Sequence, residues 1–471
     1  MSIETGWLPD YLLIGDSFAN GVAVFADATG RITRLSREPD DLARAVRLPG
    51  QALLPGCVNA HSHSFQRVIR GRTEHRTTAT RDTFWTWREK MYHAATALTT
   101  EEIQATARMC FLEMALAGIT TVGEFHYLHH AADGTPYVDR SLLSKLIAAA
   151  AREVGLRLVL IETAYARAGW NRPANPGQRR FITADPNQFI ADVEASRAFV
   201  ASTYADGAVT VAVAPHSLRA VTLDYFKQVS AFARQHGLPV HMHVSEQTGE
   251  NDDCVGEYGA TPVTLLAREG ELHDAFTAIH AVHITETEAA ALRHAGATVC
   301  ACPTTERNLG DGIVRADWLL AGGHMALGTD SQVQIAPLED ARQLEYHLRL
   351  THRERAVLAL NAGVPDDRVS GLAGKLFACA TEHGARSLKL GTGKLAPGNA
   401  ADFFTVDIND PSLAGADEQS LLAGIIFSLE RTAIRQVFVG GKQIVRNGAH
   451  ALTPTVTAQF TAVQRRLWNG S

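Results

Sequence analysis

The chain has 471 residues, 46% of them hydrophobic and 20% charged, with a formal net charge of −6. That length fits a (β/α)8 barrel with one small appendage, and the apolar share builds a large core without disulfide or metal staples. The acidic balance, with no run of Lys or Arg, excludes nucleic acid as a general partner, and no apolar stretch reaches membrane-spanning length; a small anionic substrate stays admissible, because a basic pocket can sit inside an acidic protein.

The opening segment, Met1-Ser-Ile-Glu-Thr-Gly6, lacks the basic and apolar regions of a secretory signal, so a cytoplasmic location is expected. Residues 12–14, 21–25 and 32–35 read as short strands, with a turn at Asp27-Ala-Thr-Gly30. The pattern then changes to apolar runs alternating with helical stretches. Eight runs predict buried parallel strands: 52–60, 120–125, 157–162, 209–215, 239–244, 276–281, 298–302 and 325–329. Thr99-Thr-Glu-Glu102 and Thr285-Glu-Thr-Glu288 are capping boxes that open helices, which stop at Gly118 and Gly296. Leu395-Ala-Pro-Gly398 breaks the chain, after which 401–407 and a hairpin over 435–439 and 443–445 return to short strands. The expected fold is α/β: a TIM-type (β/α)8 barrel over 53–392, with a small β domain built from both ends, 1–52 and 393–471, the latter including a terminal helix. No Gly-rich dinucleotide fingerprint supports an open doubly wound sheet instead. The six cysteines show no framework spacing and read as buried thiols of a reducing compartment; Cys300 and Cys302, two apart on a strand, should point the same way.

Ligand-type residues gather at the predicted strand ends. His61 and His63 follow the first strand, two apart and therefore on one face. His241 and His243 end the fifth, with Glu246 three residues on. His280 and His283 end the sixth, and Asp330 the eighth. Taken singly, each has a structural alternative; Asp330, in Gly328-Thr-Asp-Ser331, could be a turn or capping residue. In a barrel, however, these ends converge on one point, where active sites are built. Three His and one Asp would hold a metal with a position open for water, and Glu246 would be close enough to move protons.

The stretch Leu54-Pro-Gly-Cys-Val-Asn-Ala-His-Ser-His63, with His243-Val-Ser-Glu246, His280 and Gly328-Thr-Asp330, resembles the amidohydrolase superfamily, in particular its deaminase branch with one metal. Gly393-Lys-Leu-Ala-Pro-Gly-Asn-Ala-Ala-Asp402 resembles that superfamily's return to its β domain. The resemblance implies one divalent metal on His61, His63, His243 and Asp330: zinc by preference, with Fe2+ or Mn2+ open, since ligand types alone do not separate them. Residues 209–215 hold no lysine to carbamylate, which favours one metal over two. Asp330 would also take the proton of the attacking water, Glu246 would deliver one to the leaving nitrogen, and His280, preferred to His283, would stabilise the tetrahedral centre.

Further segments narrow the match: His61-Ser-His-Ser-Phe-Gln-Arg67, Phe84-Trp-Thr-Trp-Arg88, Gly123-Glu-Phe-His-Tyr-Leu-His-His130, Pro215-His-Ser-Leu-Arg219 and Thr304-Thr-Glu-Arg-Asn-Leu-Gly-Asp-Gly312 resemble the formimidoylglutamate deiminase family. That family hydrolyses N-formimidoyl-L-glutamate to N-formyl-L-glutamate and ammonia in histidine degradation, and the resemblance implies a homodimer. It assigns substrate binding to Gln66, Arg88, Tyr127, His216 and Arg219. Two carboxylates need cations, and arginine suits bidentate pairing. His126, His129 and His130 are expected to be structural. Two other readings stand: a deaminase of the same branch acting on a purine or nucleoside of the guanine or S-adenosylhomocysteine type, and a non-catalytic barrel scaffold. One departure is Gln332, where the family carries His; substrate contact there would alter specificity.

Overall fold

The apolar run at 52–60 is not one strand. Gly56 divides it, so that Val46–Pro55 joins the small sheet while Cys57–Ser62 opens the barrel. Both halves are apolar, and only the missing side chain marks the break. A Cβ on Gly56 would lie 2.2 Å from Thr120 Oγ1, and the Gly56 N–H donates to Asp402 O at 3.0 Å.

The computed structural model describes residues 4–77, 81–361 and 363–469. Its barrel strands follow in chain order: Cys57–Ser62, Ile119–His126, Arg157–Ala164, Val209–Pro215, Val240–Val244, Phe276–His280, Thr298–Ala301 and His324–Leu327. Neighbours pair in parallel, and nearly every strand position is buried, as a sheet covered on both faces requires. The barrel closes without a ladder. One parallel bridge joins Ser62 to Asp330, with Asp330 N–H donating to His61 O and His63 N–H to Asp330 O, both at 3.0 Å. The seam is thus formed by the backbone of three candidate metal ligands.

Around the barrel, the predicted capping boxes are present at Thr99–Glu102, opening Thr100–Leu116, and at Thr285–Glu288, opening Glu286–His294. Such caps stabilise a helix by about 1 kcal/mol. Glu102 has a second partner, Arg466 of the terminal helix Thr453–Asn469, which packs on Thr100–Leu116.

Both chain ends build the second sheet. Its order is Lys442–Arg446, Ile434–Val439, Phe403–Asp407, Val46–Pro55, Thr5–Ile14, Ala23–Ala26, Ile32–Ser36, with Ser17–Ala19 beside Thr5–Ile14. Phe403 lies opposite Pro55 and Asp407 opposite Gln51. Trp7 meets Phe403 edge-on at 5.1 Å, and Phe403 stacks on Phe438 at 4.6 Å, giving this sheet its own aromatic core. Arg157 of the third barrel strand donates to the buried Asp402 at 2.6 Å, tying the two units together. All six cysteines are buried and unpaired, and Cys300 and Cys302 share one small cluster with Ala60, Ile279 and Ala326. Among the described residues no helix is long and apolar enough to cross a membrane.

Candidate active site and metal centre

The strand ends bring the candidate ligands together. His61 Nε2 and His63 Nε2 each lie 3.2 Å from the same Asp330 Oδ1, and His243 Nε2 lies 3.1 Å from His61 Nε2. His280 Nε2 is 3.8 Å from Asp330 Oδ2 and 3.8 Å from Glu246 Oε1. All are buried. Ser245, His280, Asp330 and Gln332 carry left-handed backbone with φ of 52°, 69°, 44° and 64°. Each such conformation costs a non-glycine residue about 1–3 kcal/mol, so the rest of the barrel must hold it in place.

Ring orientation is set from behind. His63 Nδ1 is 3.0 Å from Phe125 O, and His243 Nδ1 is 3.2 Å from His216 O. A carbonyl only accepts, so each Nδ1 carries the proton and each Nε2 presents a lone pair to the centre. Burial drives His61 down to about 3, although Asp330 pulls the other way. It also drives His243 well below the usual range, reinforced by His216 and His61. Burial alone would raise Asp330, but the closeness of the His61 and His63 imidazoles outweighs it and holds the carboxylate well below its ordinary range. Neutral imidazole lone pairs converging on an ionised carboxylate form a donor set that a divalent cation fits. The ligand atoms of His61, His243, His280 and Asp330 lie within 4.8 Å of one another, and His63 reaches the same Asp330 oxygen as His61.

On the other side of the centre stand proton-bearing groups. Burial would lower His280, but Glu246, Glu306 and Asp330 outweigh it and hold the imidazole well above its ordinary value. Its Nδ1 meets Glu306 Oε1 at 3.2 Å, and that oxygen also accepts from Cys302 N–H at 2.8 Å. Glu246 is pushed up by burial, although His280 and Arg219 oppose this. His283 does not reach the cavity lining, so His280 is the sixth-strand histidine at the centre. His241 is buried elsewhere, bonded to Ser387 O at 3.1 Å. His129 and His130 bond Thr163 O and Ile182 O, each at 2.8 Å, as structural histidines do.

Beside the centre lies a cavity of about 470 Å3, counting its mouth and the solvent space open to it. Gln66, Arg88, Tyr127, His216 and Arg219 all line it, together with His63, His243, Glu246, His280 and Asp330. Gln66 Nε2 donates to Tyr127 Oη at 2.9 Å. His216 stacks on His243 at 4.6 Å. Arg88, from helix Phe84–Ala97, lies over Trp85 at 4.4 Å, and Arg219 lies over the same ring at 5.7 Å. Nε and Nη1 of both guanidinium groups are buried, and among the described residues neither group has a hydrogen bond or ion pair.

A polar network behind the ligands completes the seam. Glu124 accepts from Ser62 Oγ at 2.6 Å, Ser64 N–H at 2.7 Å and Ser64 Oγ at 2.5 Å, gripping the chain on both sides of His63. Gln332 is fully buried and does not line the cavity. Its amide donates to Ser62 Oγ (3.0 Å) and Asp330 O (2.7 Å) and accepts from Thr329 Oγ1 (2.9 Å). Gln332 therefore laces the first strand to the eighth and does not face the cavity. Because such partners orient ligands, Glu124→Gln is expected to weaken zinc binding by about tenfold or more in a chelator competition. Unaltered zinc affinity would show that the carboxylate merely packs the loop.

Sequence reasoning passed over Glu306, Tyr92, Tyr165 and Gln178. Glu306 lies in the segment Thr304–Gly312, and its position just past the seventh strand end was the available signal. Tyr92 stands four residues beyond Arg88 on one helix, so the helical period pointed to it. Tyr165 directly follows the third barrel strand, so its strand-end position was a signal, whereas Gln178, well along the connection, had none.

This geometry has known counterparts. Residues 52–444 match the sequence model of the amidohydrolase family. The chain is 38% identical over 441 residues to formimidoylglutamate deiminase of Pseudomonas aeruginosa, covering 93% of this chain and 94% of that protein. It is 27% identical over 407 residues to 5-methylthioadenosine/S-adenosylhomocysteine deaminase of Natronomonas pharaonis, covering 86% and 84%. The crystal structure of an amidohydrolase from Brucella melitensis superposes with a TM-score of 0.88 at 36% identity, covering 98% and 99% of the two chains. With a barrel whose strand ends gather histidines and an aspartate, and a match over most of its length, the chain belongs to the amidohydrolase family, hydrolases acting on C–N bonds.

Proposed function

We propose that the chain hydrolyses N-formimidoyl-L-glutamate to N-formyl-L-glutamate and ammonia, a step of histidine degradation, with one divalent ion, zinc by its imidazole-rich ligand set. The observation that carries this reading is the pair of unpartnered guanidinium groups, Arg88 and Arg219, lining the cavity that opens on the histidine cluster. Two neighbouring cations, Arg219 buried and Arg88 half-buried, with no carboxylate paired to either are costly, and a dicarboxylate supplies both missing partners. A purine brings no pair of anions to offset them. Identity to the Pseudomonas aeruginosa deiminase over nearly the whole chain supports the same choice.

In this reading His61, His63, His243 and Asp330 hold the metal, which when bound polarises a water and lowers its pKa to about 7. Asp330, kept ionised by its two imidazole neighbours, takes the proton of the attacking water. Glu246, pushed toward its protonated form by burial, gives a proton to the departing nitrogen. His280, anchored through Nδ1 on Glu306, turns Nε2 toward the tetrahedral centre. Gln66, Arg88, Tyr127, His216 and Arg219 hold the substrate. The six buried, unpaired cysteines support a reducing, cytoplasmic setting.

The test is ammonia release by the purified, zinc-loaded chain from N-formimidoyl-L-glutamate, with guanine and S-adenosylhomocysteine in parallel. Release from the first compound alone is expected. Turnover of a purine with silence on the first would discard the substrate and both arginine roles.

A further inference from the structure

We infer that Tyr92 and Tyr165 are hydroxyl donors to a substrate carboxylate, and that Gln178 is the positioning residue that commits both hydroxyls to donating. The inference rests on the dianionic substrate proposed above and extends its anion clamp to three residues.

Three pieces of chain meet at this end of the cavity. Helix Phe84–Ala97 supplies Arg88 and, one turn on, Tyr92. The connection after the third barrel strand supplies Tyr165 and then Gln178, and the segment after the fourth supplies Arg219. Tyr92, Tyr165, Arg88 and Arg219 all line the cavity; Gln178 stands behind the wall, with no exposed surface. Its Nε2 donates to Tyr165 Oη at 2.6 Å and to Tyr92 Oη at 2.8 Å. An amide nitrogen has two protons, and both are used here. Each phenol oxygen is therefore an acceptor toward Gln178, and its own proton must go elsewhere. Tyr92 also hydrogen-bonds the Tyr165 phenol, and among the described residues neither hydroxyl has a carboxylate or carbonyl to donate to, so a substrate carboxylate is the stronger acceptor for both. A hydroxyl that already accepts is a stronger donor, because linked hydrogen bonds polarise one another. The same pairing recurs where Gln66 donates to Tyr127 on the cavity wall.

The arrangement is held firmly. Buried Arg180, two residues past Gln178, donates to His130 O (2.9 Å), Ala95 O (2.8 Å) and Leu98 O (2.8 Å), so the connection is tied to the far end of the helix that carries Tyr92. Gly177 lies against Tyr92 so closely that a Cβ would come 2.9 Å from the tyrosine Cβ. A carboxylate offers about four lone-pair sites, of which an arginine fork fills two. Two oriented phenols supply donors for the others, and a neutral acceptor offers fewer lone pairs and no charge to meet them. Charge from the arginines and oriented hydroxyls together select a carboxylate at this end.

The test compares zinc-loaded wild type with Tyr92→Phe, Tyr165→Phe, Gln178→Met and the combined variants. It measures calorimetric binding of N-formyl-L-glutamate and the kinetics of ammonia release. Each Tyr→Phe change is expected to weaken binding about tenfold, with most of the kinetic loss in KM rather than kcat, the loss typical of one hydrogen bond to a charged group. Gln178→Met should weaken binding by a similar factor in the wild-type background and by almost nothing once both hydroxyls are gone. Unchanged affinity in both Tyr→Phe variants would overturn the inference. So would an equal loss from Gln178→Met with and without the hydroxyls, since that marks a role in shape alone. A wild type that binds N-formyl-L-glutamate yet releases no ammonia from the formimidoyl compound would overturn the proposed reaction, while the affinities would still judge the clamp. Failure of the wild type to bind N-formyl-L-glutamate would overturn the clamp itself.

Discussion

Glu246→Gln is expected to lower kcat by about a thousandfold or more while the chain keeps its full complement of metal. The substitution is nearly isosteric and removes only the ability to give and take a proton. Glu246 follows the fifth strand, buried, with Oε1 3.8 Å from His280 Nε2, and its backbone N–H donates to Glu250 at 3.1 Å, so its position does not depend on the charge of its own side chain. Burial favours its neutral form, which suits a group that must hand a proton to a leaving nitrogen. Metal analysis beside the rate measurement separates the alternatives. A variant that loses its metal would make Glu246 part of the ligand shell, and one that keeps its rate would remove it from proton transfer.

Arg88→Met should act in two directions at once: KM for N-formimidoyl-L-glutamate rises about a hundredfold, and the unliganded protein becomes more stable by about 1–2 kcal/mol. The first effect follows from removing a charged fork from a carboxylate. The second follows from the free protein, where the half-buried guanidinium is partly desolvated with no carboxylate paired to it. Burial lowers its pKa, and the charge of Arg219 pushes the same way. Arg219 differs in this respect: burial would lower it, but the fields of Glu250 and Glu246 outweigh that, so its free state is less costly. Methionine keeps the length and the helix preference of position 88 while shedding the charge. Urea unfolding with and without N-formyl-L-glutamate measures both effects. A variant that is less stable and has the wild-type KM would show that Arg88 supports the helix and touches no substrate.

The barrel strands were legible because a strand buried on both faces must be apolar along its length, and the candidate metal ligands because they stand where such runs stop. The break at Gly56 was not legible, since a change of sheet between two apolar segments leaves no trace except a glycine. Gln332 could be seen as a departure, but only its contacts with Ser62, Thr329 and the Asp330 carbonyl reveal that it serves the barrel seam. Arg88 and Arg219 were named from short motifs; their lack of partners, which gives them meaning, is a property of the folded cavity. Gln178 lies 86 residues from Tyr92 in sequence, and no periodicity relates them.

The most direct test is a metal titration of the stripped chain, with ammonia release from N-formimidoyl-L-glutamate followed at each addition of zinc. The single site proposed on His61, His63, His243 and Asp330 predicts no release at the start, a linear rise, and a plateau at one equivalent per chain. Full activity in the stripped chain, or a plateau reached only at two equivalents, would contradict a one-metal deiminase.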